Sequence, residues 1–266
     1  MKIKKPSATS LRRLLMLFCI FALVAIEVAF HLLDVFDGLD INLYNALVRF
    51  VGGAVCIIFM LEFSYGEVLN PLGNRKAKYL LAILPAFAIA INNFPFISFF
   101  WGDCYIKYDL VGILVYALFC LSVGFFEEMA FRGCVLMFFL RKRRDTKGDI
   151  FIAILLSSLV FGIIHLVNLF TASPAAVFLQ IGYSALIGGL CSLVLICTKN
   201  IWLCVIIHAL YNFAGGIVPA FGGGVIWTAP EVVLTAVVAI IVSVYSIWLF
   251  IKLPVSNAGD LYEKNS

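Results

Sequence analysis

The sequence predicts an all-α polytopic membrane protein with about eight transmembrane helices and both termini inside (N-in/C-in). Three observations carry that prediction. Of 266 residues, 64% are hydrophobic and 13% charged, whereas a soluble domain is nearer half apolar and a quarter charged. Eight apolar runs, 11–33, 44–64, 79–101, 110–140, 150–170, 175–197, 200–218 and 231–252, reach or approach the roughly 20 residues a helix needs to cross the hydrocarbon core. Basic residues gather in alternate connections. With the N-terminus inside, 16 of the 19 fall in inner segments: five before or at the start of the first run, Arg75, Lys76 and Lys78, the five from Arg141 to Lys147, then Lys199, Lys252 and Lys264. Lys107 stands in an outer loop, and Arg49 and Arg132 lie within runs. Positive loops stay in the cytoplasm, so the net charge of +4 is a topology signal. It does not point to nucleic acid, because no basic, aromatic-lined groove is present.

Each run has its own signature. The first begins with lysines like a signal peptide, but it exceeds an h-region of 7–15 residues and no small-x-small site follows, so it reads as a retained span. Glu27, His31 and Asp34 lie toward its outer end, where Arg49 of the second run pairs with Glu27 or reaches headgroups. Glu62, at the inner end, snorkels. Pro85 and Pro95 interrupt the third run and predict a kink or break, tolerated where neighbours satisfy the freed backbone groups. Asn92 and Asn93 lie beside it. The fourth run is longer than a span requires, and its last turns project toward Arg141.

Asp149 precedes the fifth helix, and Ser173-Pro174 opens the sixth. Gly188-Gly189 permit close helix approach. Gly215-Gly216 and Gly222-Gly223-Gly224 read as flexible connections before the eighth span. Thr228, with Glu231 three positions on, forms a capping-box pattern. Trp101, Trp202 and Trp227 suit interface anchoring. The eight cysteines include no Cys-x-x-Cys pair, and all but Cys104 lie in apolar runs, where cysteine behaves as a small hydrophobe. That argues against a disulfide framework or thiolate zinc site. With no linker or repeat, residues 1–266 form a single membrane domain ending in a frayed tail from Ser256.

The chemistry concentrates in Phe125-Phe126-Glu127-Glu128-Met129-Ala130-Phe131-Arg132. An ionisable group at bilayer depth costs at least about 2.5–3.5 kcal/mol and marks a polar interior. Two further apolar runs carry His165 and His208. Glu127 and His165 each lie roughly 20 Å from the cytoplasmic ends of their helices and His208 roughly 12 Å, at 1.5 Å per residue. With the end of the fourth helix protruding, these share a layer in the cytoplasmic half. Residues four apart share a helix face, which pairs Glu128 with Arg132, Phe161 with His165, and His208 with Asn212.

A carboxylate and an imidazole can deprotonate and orient a water. An imidazole and an amide can stabilise an oxyanion. Glu127 with His165, and His208 with Asn212, supply these halves. Two histidines and a glutamate, here Glu127, His165 and His208, also form the ligand set of catalytic zinc sites. One divalent metal such as zinc and a metal-free mechanism are both open. The blander reading makes Glu128 and Arg132 mutual neutralisers and the histidines and Asn212 helix–helix hydrogen-bonding groups.

The order Glu127-Glu128-x-x-x-Arg132, Phe161-x-x-x-His165, His208-x-x-x-Asn212 resembles the CPBP family (CAAX proteases and bacteriocin-processing enzymes, or Abi family), which includes the type II CAAX prenyl endopeptidases. The resemblance covers about 110–215. It implies an eight-helix intramembrane endopeptidase with its site open toward the cytoplasm. Glu127 would activate the water with help from His165. His208 and Asn212 would stabilise the oxyanion, while Glu128 and Arg132 organise the first motif. The family is commonly labelled metalloprotease, and a metal-free glutamate mechanism has also been argued. The implied partners are membrane lipid and a membrane-associated peptide or protein substrate, in a bacterial cell membrane. A non-catalytic immunity or binding protein of the same fold and a proton- or ion-coupled transporter are the competing classes; the absence of paired broken helices lowers the second.

Overall fold

The structure, a computed structural model, describes residues 8–32, 41–73, 77–81, 83–141, 145–170 and 172–261. The bundle is built from α1 (Ala8–Leu32), α2 (Ile41–Glu62), α3 (Ile83–Asn92), α4 (Phe96–Trp101), α5 (Leu110–Leu140), α6 (Lys147–Phe170), α7 (Pro174–Thr198), α8 (Ile201–Phe221) and α9 (Ala229–Lys252). Among the described residues seven segments are long and apolar enough to cross a membrane: α2, α3 with α4, and α5 to α9. In α1 the described apolar stretch is the shorter Leu15–Ile26. Large apolar side chains such as Val111, Phe178, Leu186 and Ile240 point outward, as lipid-facing surfaces require. The chain is an integral membrane protein.

Helix α7 is the central strut. Two-thirds of its apolar window, 67%, is buried, against 11% for the peripheral α9. α8 packs along α5, and α5 along α2. Gly124 makes the first of these crossings possible. A Cβ there would sit 2.7 Å from the Val205 carbonyl oxygen of α8, so any side chain would push the helices apart.

The break predicted in the third span falls after Asn92, where the chain leaves α3 and re-enters α4 behind Pro95. Asn93 Nδ2 donates to the Tyr211 carbonyl at 2.8 Å, and Asn92 Nδ2 to Thr235 Oγ1 at 3.3 Å. Pro85 lies in the first turn of α3, where its missing N–H is tolerated, and it interrupts nothing.

Several local expectations change. Glu231 does not close a capping box on α9. It is 1% exposed, and its Oε2 accepts the backbone N–H groups of Ile97 (2.8 Å) and Ser98 (3.1 Å), capping α4 instead. The Thr228 hydroxyl lies 2.9 Å from Ser98 Oγ, so both polar groups staple the broken third span to the last helix. Thr146, not Asp149, caps α6: its Oγ1 accepts the Asp149 N–H and donates to Asp149 Oδ2. Ser173 caps α7 as expected.

Gly215 and Gly216 lie inside α8. Gly222–Gly224 form a short strand antiparallel to Cys104–Ile106, with Cys104 opposite Gly224 and Ile106 opposite Gly222. That two-stranded ribbon ties the entrance of α5 to the exit of α8. Burial, with Asp103 and Glu231 nearby, pushes the Cys104 thiol up, which keeps it inert.

Trp202 packs inward, stacked on Phe125 at 6.0 Å and donating from Nε1 to the Leu69 carbonyl. The segment from Ser256 to Leu261 is not frayed. It folds back, with Asn257 accepting from Tyr79 Oη at 3.1 Å and Asp260 pairing with Lys199. Glu62 pairs with Arg12 at 3.5 Å. The Arg49 guanidinium lies over the Phe119 ring, 4.8 Å from its centre. The expectations for the Glu27 and His31 side chains and for Asp34 lie outside what the structure describes.

The α4 cap is testable. Glu231→Ala leaves two largely buried amides unpaired and is expected to cost about 2–3 kcal/mol, the scale of hydrogen bonds to charged groups. Thermal unfolding in detergent should show it as a lowered midpoint, with Glu231→Gln retaining most of the stability.

Candidate active site

The site begins with a change of helical pitch. α5 is α-helical to Glu128, then widens to i→i+5 turns over Met129–Leu136. Every one of these eight residues is buried. Such π turns are rare and recur at functional sites. Here the wider turn carries Arg132 into the packed centre of the bundle, facing α6 and α7.

Arg132 and Glu128 meet there. Arg132 Nη1 lies 3.0 Å from Glu128 Oε1, with side-chain exposures of 1% and 0%. The guanidinium also stacks over the Phe161 ring, 4.3 Å from its centre. Gly188 of α7 makes room for it, since a Cβ there would lie 2.9 Å from Arg132 Nη2 and 3.2 Å from Phe161 Cδ1. This pairing follows the four-residue spacing read from the sequence.

His208 of α8 continues the chain of contacts. Its Nδ1 lies 2.7 Å from Glu128 Oε1, and its Nε2 lies 3.4 Å from Glu127 Oε2. The Glu128 oxygen that faces Arg132 is an acceptor, so Nδ1 is the donor of this pair. Nε2 is left facing Glu127. The close α5–α8 crossing at Gly124 brings Glu127 to His208.

His165 stands where α6 tightens from α-helix to a final 3₁₀ stretch, His165–Phe170. Its Nδ1 is 2.9 Å from the Phe161 carbonyl oxygen, which can only accept. In the neutral ring the proton therefore sits on Nδ1, and Nε2 presents its lone pair toward Ser184 Oγ at 3.5 Å. The Phe161 ring packs edge-on against both histidines, at 5.2 Å from His165 and 5.8 Å from His208.

Glu127, His165, His208 and Asn212 all line one cavity of about 350 Å³. Glu128 and Arg132 stand behind its wall. Glu127 lies against His208, and His208 also meets Glu128, two contacts between helices that helical spacing alone does not give.

The same cavity takes in Gln180, Tyr183, Ser184 and Tyr211, which sequence reasoning passed over. A signal for them exists: Gln180, Ser184, Gly188 and Ser192 recur every four residues on one face of an otherwise apolar α7.

Among the described residues no group of three His, Cys, Asp or Glu side chains is gathered to hold a metal ion. Each histidine spends Nδ1 on a protein acceptor, Glu128 for His208 and the Phe161 carbonyl for His165, which leaves Nε2 as the ring atom that remains to meet water or an ion.

Residues 109–214 match the family model described as Type II CAAX prenyl endopeptidase Rce1-like. The chain carries an Rce1-like domain. No curated protein and no solved structure matches the chain. The Rce1-like segment starts at Asp109, the side-chain cap of α5, and runs past Asn212, so it spans every residue of the cavity wall contributed by α5, α6, α7 and α8. With the apolar helices around it, the match supports an intramembrane protease of the CAAX type in general.

The ion pair within the Rce1-like domain should dominate stability. Arg132→Met strands a buried carboxylate and is expected to cost about 3–5 kcal/mol. Adding Glu128→Gln should recover part of that loss. A double-mutant cycle on thermal unfolding in detergent checks both.

Proposed function

We propose that the chain is an intramembrane endopeptidase that hydrolyses a peptide bond of a membrane-associated protein or peptide, with Glu127 as the general base. The observation that carries this reading is the bracketing of His208 between Glu127 at the cavity wall and the Glu128–Arg132 pair behind it. Chain charge, spread across the inner connections, favours placement in a cell membrane with cytoplasmic termini.

The contacts support an order of events. A water in the cavity can donate one hydrogen to Glu127 and the other to His165 Nε2, leaving its lone pairs for a carbonyl carbon. His165 is suited to this because its other nitrogen is committed to Phe161. One proton shared between His208 Nε2 and Glu127, beside the Glu128–Arg132 pair, makes the whole set electroneutral, as a low-dielectric interior favours.

When the water attacks, Glu127 takes its proton and becomes neutral. Its hold on the His208 Nε2–H then weakens. That hydrogen and the Asn212 amide are available to the oxyanion as its charge forms. On collapse, Glu127 passes the proton it took from the water to the leaving amine, the C–N bond breaks, and Glu127 is again a carboxylate as the two product ends separate. Glu128 and Arg132 never change protonation. They hold the imidazole in one orientation, as the acid of a catalytic triad holds its histidine.

Reconstituted protein with a peptide library provides the test. Glu127→Gln and His208→Ala are expected to lower cleavage at least about 100-fold, and His165→Gln by a similar factor, the range of general acid–base contributions. Glu127→Gln and His165→Gln should keep the unfolding midpoint within a few degrees, whereas His208→Ala should also lower it, since it removes the buried partner of Glu128. Full cleavage in Glu127→Gln would remove the base from this scheme.

A further inference from the structure

α6 runs from the basic end at Lys147 to its 3₁₀ stretch, His165–Phe170, and α7 returns beside it from Pro174. The two helices approach closely. A Cβ on Gly162 would lie 2.8 Å from the Ile181 carbonyl oxygen and 3.2 Å from Ala185 Cβ. Two polar contacts bridge the crossing in register. Ser184 Oγ lies 3.5 Å from His165 Nε2, and Asn168 Nδ2 donates to Gln180 Oε1 at 2.8 Å. All four residues line the cavity that holds Glu127.

Ser184 departs from the ordinary behaviour of a helical serine. Inside a helix the hydroxyl commonly donates back to the carbonyl four residues earlier. Ser158, Ser192 and Thr198 do so, each at 2.7 Å, to Ile154, Gly188 and Val194. Ser184 is as buried as Ser158, both 5% exposed, and shares its helix with Ser192 and Thr198. Among the described residues its hydroxyl nevertheless faces His165 Nε2 and no carbonyl of α7. Since Nδ1 of that ring is committed to the Phe161 carbonyl, Nε2 is the acceptor and the Ser184 O–H the donor. At 3.5 Å the contact stands at the outer limit of a hydrogen bond. Exchanging a 2.7 Å bond for one of that length is unfavourable unless a further acceptor meets the hydroxyl beside Nε2. The water of the hydrolytic step is such an acceptor.

We propose that Ser184 is a water-positioning residue. This rests on the protease reading above and adds a third fixed point to it. A water that donates to Glu127 and to His165 Nε2 keeps two lone pairs, either of which could turn toward a carbonyl carbon. The Ser184 O–H donates to one of them, so the other has a single direction. As Glu127 removes the water proton, negative charge grows on the oxygen and the bond from Ser184 strengthens. Ser184 itself neither gains nor loses a proton. The Asn168–Gln180 contact one turn away holds α7 in register with the 3₁₀ stretch, which keeps the hydroxyl opposite the ring.

The test is steady-state cleavage, by reconstituted protein, of one peptide taken from the library above. Ser184→Ala is expected to lower kcat about tenfold with KM changed less than about twofold, because the lost bond goes to the water and not to the peptide. Ser184→Thr should recover most of kcat, and Ser184→Cys, a weaker donor, part of it. Ser192→Ala removes a hydroxyl from the same face of α7 that is bonded within its own helix, and should leave kcat unchanged. A second measurement needs no turnover. Diethyl pyrocarbonate acylates an unprotonated imidazole nitrogen, and mass spectrometry counts the adduct at His165. That adduct should form at least about threefold faster in Ser184→Ala than in the unaltered protein, since a donor covering Nε2 is gone.

Unchanged kcat in Ser184→Ala, a loss carried by KM, an equal loss in Ser192→Ala, or no recovery in both Ser184→Thr and Ser184→Cys would overturn the proposal. So would equal rates of His165 acylation with and without the hydroxyl. Glu127→Gln, run beside these variants, separates the two readings. Loss of cleavage in Glu127→Gln with normal turnover in Ser184→Ala removes only the part given to Ser184. Full cleavage in Glu127→Gln overturns the general base and the water scheme built on it, while the acylation contrast still reports the Ser184–His165 contact.

Discussion

The buried contact between Arg132 and Glu128 is the constraint from which the rest of the architecture follows. Neither side chain reaches solvent, and each alone would be unsupportable inside an apolar bundle. Keeping them together requires a turn of α5 enclosed on every side. It also requires a helix, α7, with no side chain at position 188, and an aromatic ring, Phe161, laid under the guanidinium. The pitch change after Glu128, the glycine on α7 and the Phe161–His165 spacing on α6 are three local features that answer one electrostatic demand. The third of them also fixes His165, because the residue that supports Arg132 through its ring supports His165 through its carbonyl.

That shared scaffold explains why the charged pair and the cavity-lining histidines occur together. His208 is oriented by Glu128 at 2.7 Å, and Glu128 is oriented by Arg132. Glu128 is thereby tied to the guanidinium on one side and to the imidazole on the other. The two adjacent glutamates thus differ in what surrounds them: one is locked behind the wall, and the other is 21% exposed at the side chain and lies on the cavity. Adjacent carboxyls taking different parts through their environments is a recurring device in hydrolytic sites.

Much of the fold was legible because lipid leaves few options. Backbone groups must be satisfied within helices, so apolar run length translates almost directly into spans, and the seven observed segments fall close to the expected boundaries. The site residues were legible for the same reason: a glutamate, arginine or histidine at depth stands out against leucine and phenylalanine. What escaped was partner choice. Helical spacing told which residues share a face, as with Glu128 and Arg132, but not which face meets which helix. The Gly124–Val205 approach decides that Glu127 meets His208, and this is a property of two helices at once. Glu231 illustrates the same gap. Its position three residues after Thr228 is a good local cap signature, yet the carboxylate serves α4, because the break at Pro95 creates bare amides nearby that no local partner can reach. The glycine run at 222–224 looked like slack and is instead a strand, since pairing with Cys104–Ile106 depends on a segment over 100 residues away.

A hydrolase in a membrane must admit water to one point without letting ions and protons cross. The described packing meets both demands by dividing the bundle lengthwise. One part of α5, α6, α7 and α8 borders a polar cavity, and another part of α5, α7 and α8 is packed solid with Leu, Ile, Val, Cys and Met. Glu127 and His208 lie at that boundary, so their carboxylate and imidazole can meet water on one side while low dielectric strengthens the contacts to Glu128 and Arg132 on the other. Position along the helix thereby governs reactivity: the same pair moved two turns toward the basic end would be dry and inert, and moved two turns the other way it would lose the buried arginine that holds it in place.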